Sequence, residues 1–161
     1  DLIHIEENGY MEMESVQIKG VDSTERVTEA DLKDKATLIV KEKLMTHGKQ
    51  HAVSKFDVNL NGEGSSANVI SRSVAKGESE QTFISNLNGN NQCAGHTECD
   101  GIIMDHAKVN AVPSLSANNL DASLIHEAAI GKIAGEQLIK LMTLGLTEEE
   151  AEEQIVNGFL K

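Results

Sequence analysis

Between residues 36 and 126 the chain is a succession of short apolar runs broken by turn residues, and one of those runs occurs twice. Phe56-Asp57-Val58-Asn59-Leu60-Asn61-Gly62 agrees with Phe83-Ile84-Ser85-Asn86-Leu87-Asn88-Gly89 at Phe, Asn, Leu, Asn and Gly, 27 residues further on. A fixed period of this size marks stacked units, each of which buries its apolar face only against its neighbours. Phe56–Leu60 alternates with period two, so the unit carries a strand. The reading is a β-solenoid, against a sandwich or meander. It predicts Phe56 over Phe83, with Asn59 over Asn86 and Asn61 over Asn88 as an amide ladder.

Other short strand-like runs are Val16–Ile18, Thr37–Val40, Asn68–Ser71, Gln81–Leu87, Gly101–Met104 and Lys108–Val112, with turn clusters such as Asn61–Gly64 and Asn88–Asn91 between them. Thr28–Lys35 reads as at most a short helix. Aromatic residues make up 2% of the chain and Trp is absent. The core must therefore be built from small aliphatics, Ala and Ser, which suits a narrow repetitive interior.

The pattern changes near residue 127, which divides the chain into a β region, 1–126, and a helical tail, 127–161. Ile130, Ile133, Ala134, Leu138 and Leu141 fall on one helical face, Gly145 reads as a C-cap, and Thr147–Glu150 as a capping box. Ala151, Ile155, Val156 and Phe159 line a second helix. Such a hairpin must cap the β region, dock on a partner, or both. The chain opens at Asp1 inside a strand-like run and reads as an N-terminally truncated piece.

A net charge of −12 and a pI near 4.8 argue against nucleic acid and against an anionic membrane surface. No apolar run approaches the roughly 20 residues of a membrane span. Two cysteines are too few for a disulfide scaffold, so reduced thiols and a cytoplasmic setting are expected.

The densest group of soft ligands is Cys93-Ala-Gly-His96-Thr-Glu-Cys99. Its spacing fits no closed zinc site. In a strand, Cys93 and Cys99 share a face that His96 does not. His126-Glu127 opens like a zincin motif, but Ile130 stands where the second His is needed. No phosphate-binding loop and no Gly-x-Ser-x-Gly elbow appears, so any ATP hydrolysis belongs to a partner. A Cys99–His126 nucleophile pair is the remaining enzyme reading.

His96-Thr-Glu-Cys99-Asp100-Gly-Ile-Ile-Met-Asp105, Ala111-Val-Pro113-Ser-Leu115, His126-Glu127-Ala128, Gly131-Lys132, Glu136-Gln137-Leu138, Gly145–Ala151 and Val156-Asn-Gly158-Phe159 follow one another in the order and with the gaps of a known family. Over residues 93–161 the chain resembles the C-terminal region of the SufB/SufD proteins. The resemblance implies a right-handed parallel β-helix followed by a small helical domain, acting as a non-enzymatic scaffold for a transient iron–sulfur cluster. It implies a SufC-type ABC ATPase on the C-terminal helices, pairing as a homodimer or SufB/SufD heterodimer, and cluster-accepting proteins downstream. The family's Cys-Asp and His-Glu-Ala ligands map onto Cys99, His126 and Glu127. Ile125 stands where Ser often precedes the His, and Leu138-Ile139-Lys140 lacks the family's aromatic pair. The rival of another class is a structural or carbohydrate-binding solenoid. The scarcity of aromatics for sugar stacking counts against it.

Overall fold

A computed structural model describes residues 1–18 and 20–161. Ten strands, β1 (Leu2–Ile5), β2 (Tyr10–Gln17), β3 (Ser23–Leu32), β4 (Thr37–Thr46), β5 (His51–Leu60), β6 (Ser65–Ala75), β7 (Glu80–Gly89), β8 (Cys93–Ile103), β9 (Lys108–Ala117) and β10 (Ala122–Gly131), precede helices α1 (Gly135–Thr143) and α2 (Glu148–Phe159). Odd strands form one parallel sheet in the order β1-β3-β5-β7-β9, and even strands a second in the order β10-β8-β6-β4-β2. The chain thus winds as a β-solenoid of about five turns, the parallel architecture that the repeat predicts.

Alternation drives each strand to its place. Along β5 every second residue (Ala52, Ser54, Phe56, Val58, Leu60) is buried, and β7 repeats the pattern with Gln81, Phe83, Ser85, Leu87 and Gly89. The interior combines Leu32, Leu38, Val40, Leu60 and Val69 with small polar residues, among them Thr28, Ser71 and Thr97. Gly95 is an inward position where a Cβ would meet Leu124, Leu87 and Leu60 at 2.9–3.1 Å. Only glycine lets those three leucines converge. Gly62 allows consecutive turns to touch, since a Cβ there would fall 2.0 Å from the backbone of Lys33 and Asp34.

The register differs from the sequence repeat by two residues. Phe56 lies opposite Ser85 and Asn59 opposite Asn88, a step of 29 rather than 27. A two-residue slip preserves which side chains face inward, so the core tolerates it. The aromatic pair survives as a diagonal contact, with ring centroids 5.8 Å apart. The ladder re-forms with new partners: Asn88 donates to Asn59 at 2.9 Å, Asn90 to Asn61 at 2.7 Å and Asn118 to Asn90 at 2.7 Å.

Three local expectations are corrected. Thr28–Leu32 is strand, because Thr28, Ala30 and Leu32 alternate into the core while the backbone pairs with β1 and β5. The change of composition near residue 127 is not a strand end. β10 pairs with β8 as far as Gly131, which removes Ile130 from the helical face. Helix α1 then starts only at Gly135, after Ile133 and Ala134. The tail otherwise follows its signals. Gly145 takes φ +98° beyond α1, and Thr147 and Glu150 close the capping box of α2. Among the described residues no helix is long and apolar enough to cross a membrane.

Candidate functional site at the last two rungs

Both ends of the solenoid expose strand edges, β1 and β2 at one end and β9 and β10 at the other. β9 and β10 each pair on one side only, to β7 and β8, and leave a free strand edge. Pro113 sits in β9, an edge position where a missing N–H is tolerated. Inward positions here lack a further rung above them, and Leu115 is accordingly 42% exposed.

β8 and β10 bring the chemistry-bearing residues into register: His126 lies opposite Thr97, Glu127 opposite Glu98, and Ala128 opposite Cys99. Cys93, Thr97 and Cys99 face inward, as the strand spacing requires, and His96, Glu98 and Asp100 alternate toward the outer side. His126 falls on the inward side of β10 and Glu127 on the outward side. Two of the three expected ligands, Cys99 and His126, therefore share the interior face of adjacent strands, two residues out of step. The third points away from them.

Cys99 is fully buried. Burial first, then the negative charges of Glu42 and Asp100, push its thiol up to about 12. Glu42 is itself an interior carboxylate that accepts from Ser54 Oγ at 2.5 Å and Ser71 Oγ at 2.7 Å. At neutral pH Cys99 is thus a protonated, shielded thiol, and Cys93 is likewise a free buried thiol raised by burial. His126 moves the other way. Burial, then the neighbouring His96, lower its pKa and keep the imidazole neutral. A 2.6 Å hydrogen bond between its Nδ1 and Thr97 Oγ1 fixes the ring. A neutral imidazole is a competent metal ligand, and a thiol becomes one on losing its proton.

On the outer face His96 lies 3.3 Å by Nε2 from Glu127 Oε2 and 2.9 Å by Nδ1 from Asn68 Oδ1. His96, Glu98 and Glu127 each place a ligand atom within 4.8 Å of the others. Asp100 crowds Glu98, and the hydrogen bond between their carboxyls raises the pKa of Glu98. Sequence reading sets His96 aside and passes over Glu98. The signal that finds both is the rung step, because 29 residues separate Glu98 from Glu127.

The model of the SUF system FeS cluster assembly SufBD core domain matches residues 2–159 of this chain. An iron–sulfur cluster assembly SufBD family protein of Methanothermobacter thermautotrophicus (strain Delta H) is 44% identical over 105 residues, covering 64% of this chain and 26% of that protein. A SufBD family protein of Pyrococcus horikoshii is 42% identical over 102 residues, covering 63% and 31%. The iron–sulfur cluster assembly protein SufB of Bacillus subtilis is 35% identical over 100 residues, covering 60% and 22%. The matched stretch spans less than a third of each of these relatives.

Proposed function

The chain belongs to the SufBD core domain family of the SUF iron–sulfur cluster assembly system, and from that premise we propose that it provides the ligand-bearing end of a scaffold on which a cluster is built and from which it is released. The observation that carries this reading is the placement of Cys99 and His126 on one interior face in the last two rungs, next to the free edges of β9 and β10. Thiolate and imidazole both ligate iron. The cluster is cargo, so its ligands must be shielded at rest and accessible on demand. Complete burial supplies the shielding for Cys99. Displacing β10 would hydrate Cys99, lower its pKa and let iron replace the thiol proton.

Ligand count points to a second chain. A cluster commonly takes about four protein ligands, and Cys99, His126 and Glu127 supply three at most. Pairing through the free edges of β9 and β10, with a second copy or with a SufB/SufD-type partner, brings a second set to the same place. The outward Glu127 can then serve across the interface. The helical tail is the docking surface for a SufC-type ABC ATPase. Helix α1 buries none of its residues, and Ile139, Met142 and Leu144 around it are exposed. ATP-driven movement of the tail, which follows β10 directly, would open the last rung. The setting is cytoplasmic, where thiols stay reduced, and the products are cluster-accepting proteins.

The complete burial of Cys99 favours one other reading, a purely structural solenoid. Anaerobic reconstitution with iron and sulfide, read by Mössbauer spectroscopy, separates the two. The scaffold reading expects cluster signals in the parent protein that fall sharply in His126→Ala at unchanged far-UV circular dichroism. Equal signals in the two proteins, or none in either with the ATPase and pairing partner present, would refute it.

A further inference from the structure

The outer face of the same two strands carries a second arrangement, which shares Glu127 with the cluster-building reading but stands without it. Glu98 and Glu127 face each other directly across β8 and β10, in strands about 4.8 Å apart. Like charges in direct register destabilise a sheet unless something positive lies between them. Among the described residues Glu127 has no lysine or arginine ion-pair partner, and its contact is His96. Arg72 lies opposite Asp100, one inward–outward step along the strand, and relieves Glu98 only in part.

His96 is oriented as a ligand. With Nδ1–H donating to Asn68 Oδ1 at 2.9 Å, Nε2 faces Glu127 Oε2 across 3.3 Å, a gap that either a proton on Nε2 or a cation can bridge. Two acceptors do not face each other at that distance without a proton or a cation between them. Two ligand atoms bound about 2.1 Å from one ion stand roughly 3.0–3.4 Å apart, depending on the coordination angle. The second-shell bond to Asn68 is the kind that holds a metal-binding imidazole in one tautomer.

We infer that His96, Glu98 and Glu127 form a mononuclear site for a divalent first-row cation of the Mn(II)/Fe(II) class on the outer face of the last two rungs. One imidazole and two carboxylates, with no thiolate, suit that class rather than a soft ion. Waters complete the coordination. All three side chains reach solvent, so the ion enters from outside without opening the core.

Mn(II) is the probe, titrated into the 161-residue chain and followed by loss of the free-ion electron paramagnetic resonance signal at moderate salt. The expected result is about one tight ion per chain. Affinity should fall at least about tenfold in His96→Ala and in Glu98→Gln, and by about tenfold in Asn68→Ala, which acts only through His96. Cys99→Ser should bind as the parent does, which separates this site from the thiol of the cluster site, Glu127 being common to both. Should His96→Ala misfold, Glu98→Gln and Asn68→Ala carry the comparison. Fe(II) should compete for the bound Mn(II) under anaerobic conditions. Equal affinity in the parent and these variants would mean diffuse binding to an acidic surface and would overturn the assignment. So would loss of the ion in Cys99→Ser.

Discussion

Leu87 and Leu115 occupy equivalent inward positions on neighbouring rungs of the same sheet, yet Leu87 is 1% exposed and Leu115 is 42% exposed. The two residues have the same side chain and the same place in the repeat, so the difference comes from what lies above them. Leu87 has a rung on each side, and Leu115 has one only on the side of β7. In a stacked fold each unit is stabilised by its neighbours. The middle of the molecule is therefore its framework, and the last rung is held by half as many neighbours. Opening is easiest at a weakly held end; of the proposed ligands, His126 and Glu127 lie on that last rung, and Cys99 lies on β8 directly beneath it.

The largest expected effect sharpens that contrast. Leu60→Ala removes a fully buried side chain of the core cluster and should cost about 2–5 kcal/mol. Leu115→Ala should cost under about 1 kcal/mol, because much of that side chain already meets water. Equal losses in denaturant unfolding would break the comparison.

Protonation gives the next test. Burial, then the neighbouring His96, lower the pKa of His126 in the fold. The unfolded chain therefore binds more protons through the ordinary His range near 6.5. The resulting stability is complete above that range and is lost as pH falls through it. His126→Gln should flatten this part of the stability–pH curve. An unchanged curve would mean that the last rung already hydrates His126. Cys99 has the opposite sign. Its raised thiol keeps its proton in the fold, and stability is lost as pH rises from the ordinary thiol range toward about 12.

The smallest effect concerns the amide ladder. Asn88→Ala removes a part-buried donor to Asn59 and should cost about 1 kcal/mol. Asn118→Ala, at the exposed terminal step, should cost only a few tenths. Thermal melts of the pair should preserve that order.

The sequence carries the stacking principle more clearly than its register. The Phe56/Phe83 match identifies β5 and β7 as neighbours, because alternation and turn chemistry are local signals. It misses the two-residue slip, because side-chain facing is the same at steps of 27 and 29. Strand β8 is hidden for a different reason. Cys93-Ala-Gly-His96 has little intrinsic strand preference, and the ladder to β6 imposes the conformation. Ala128-Ala129-Ile130 has helical composition but completes β10 by pairing with β8. The site was legible to the same degree. Family motifs point to Cys99, His126 and Glu127, but only the register reveals that Glu127 faces outward and meets His96 and Glu98.

The central claim is that cluster chemistry belongs to Cys99, the inward thiol two residues out of step with His126 on the adjacent strand. The most direct measurement is the iron and acid-labile sulfide bound per chain after anaerobic reconstitution, comparing Cys99→Ser with Cys93→Ser. Both cysteines are buried, both lie on β8, and both face the interior, so the comparison holds the strand and the facing constant. The account predicts that Cys99→Ser loses most of its loading while Cys93→Ser stays close to the parent. Full loading of Cys99→Ser, or loss confined to Cys93→Ser, would contradict it.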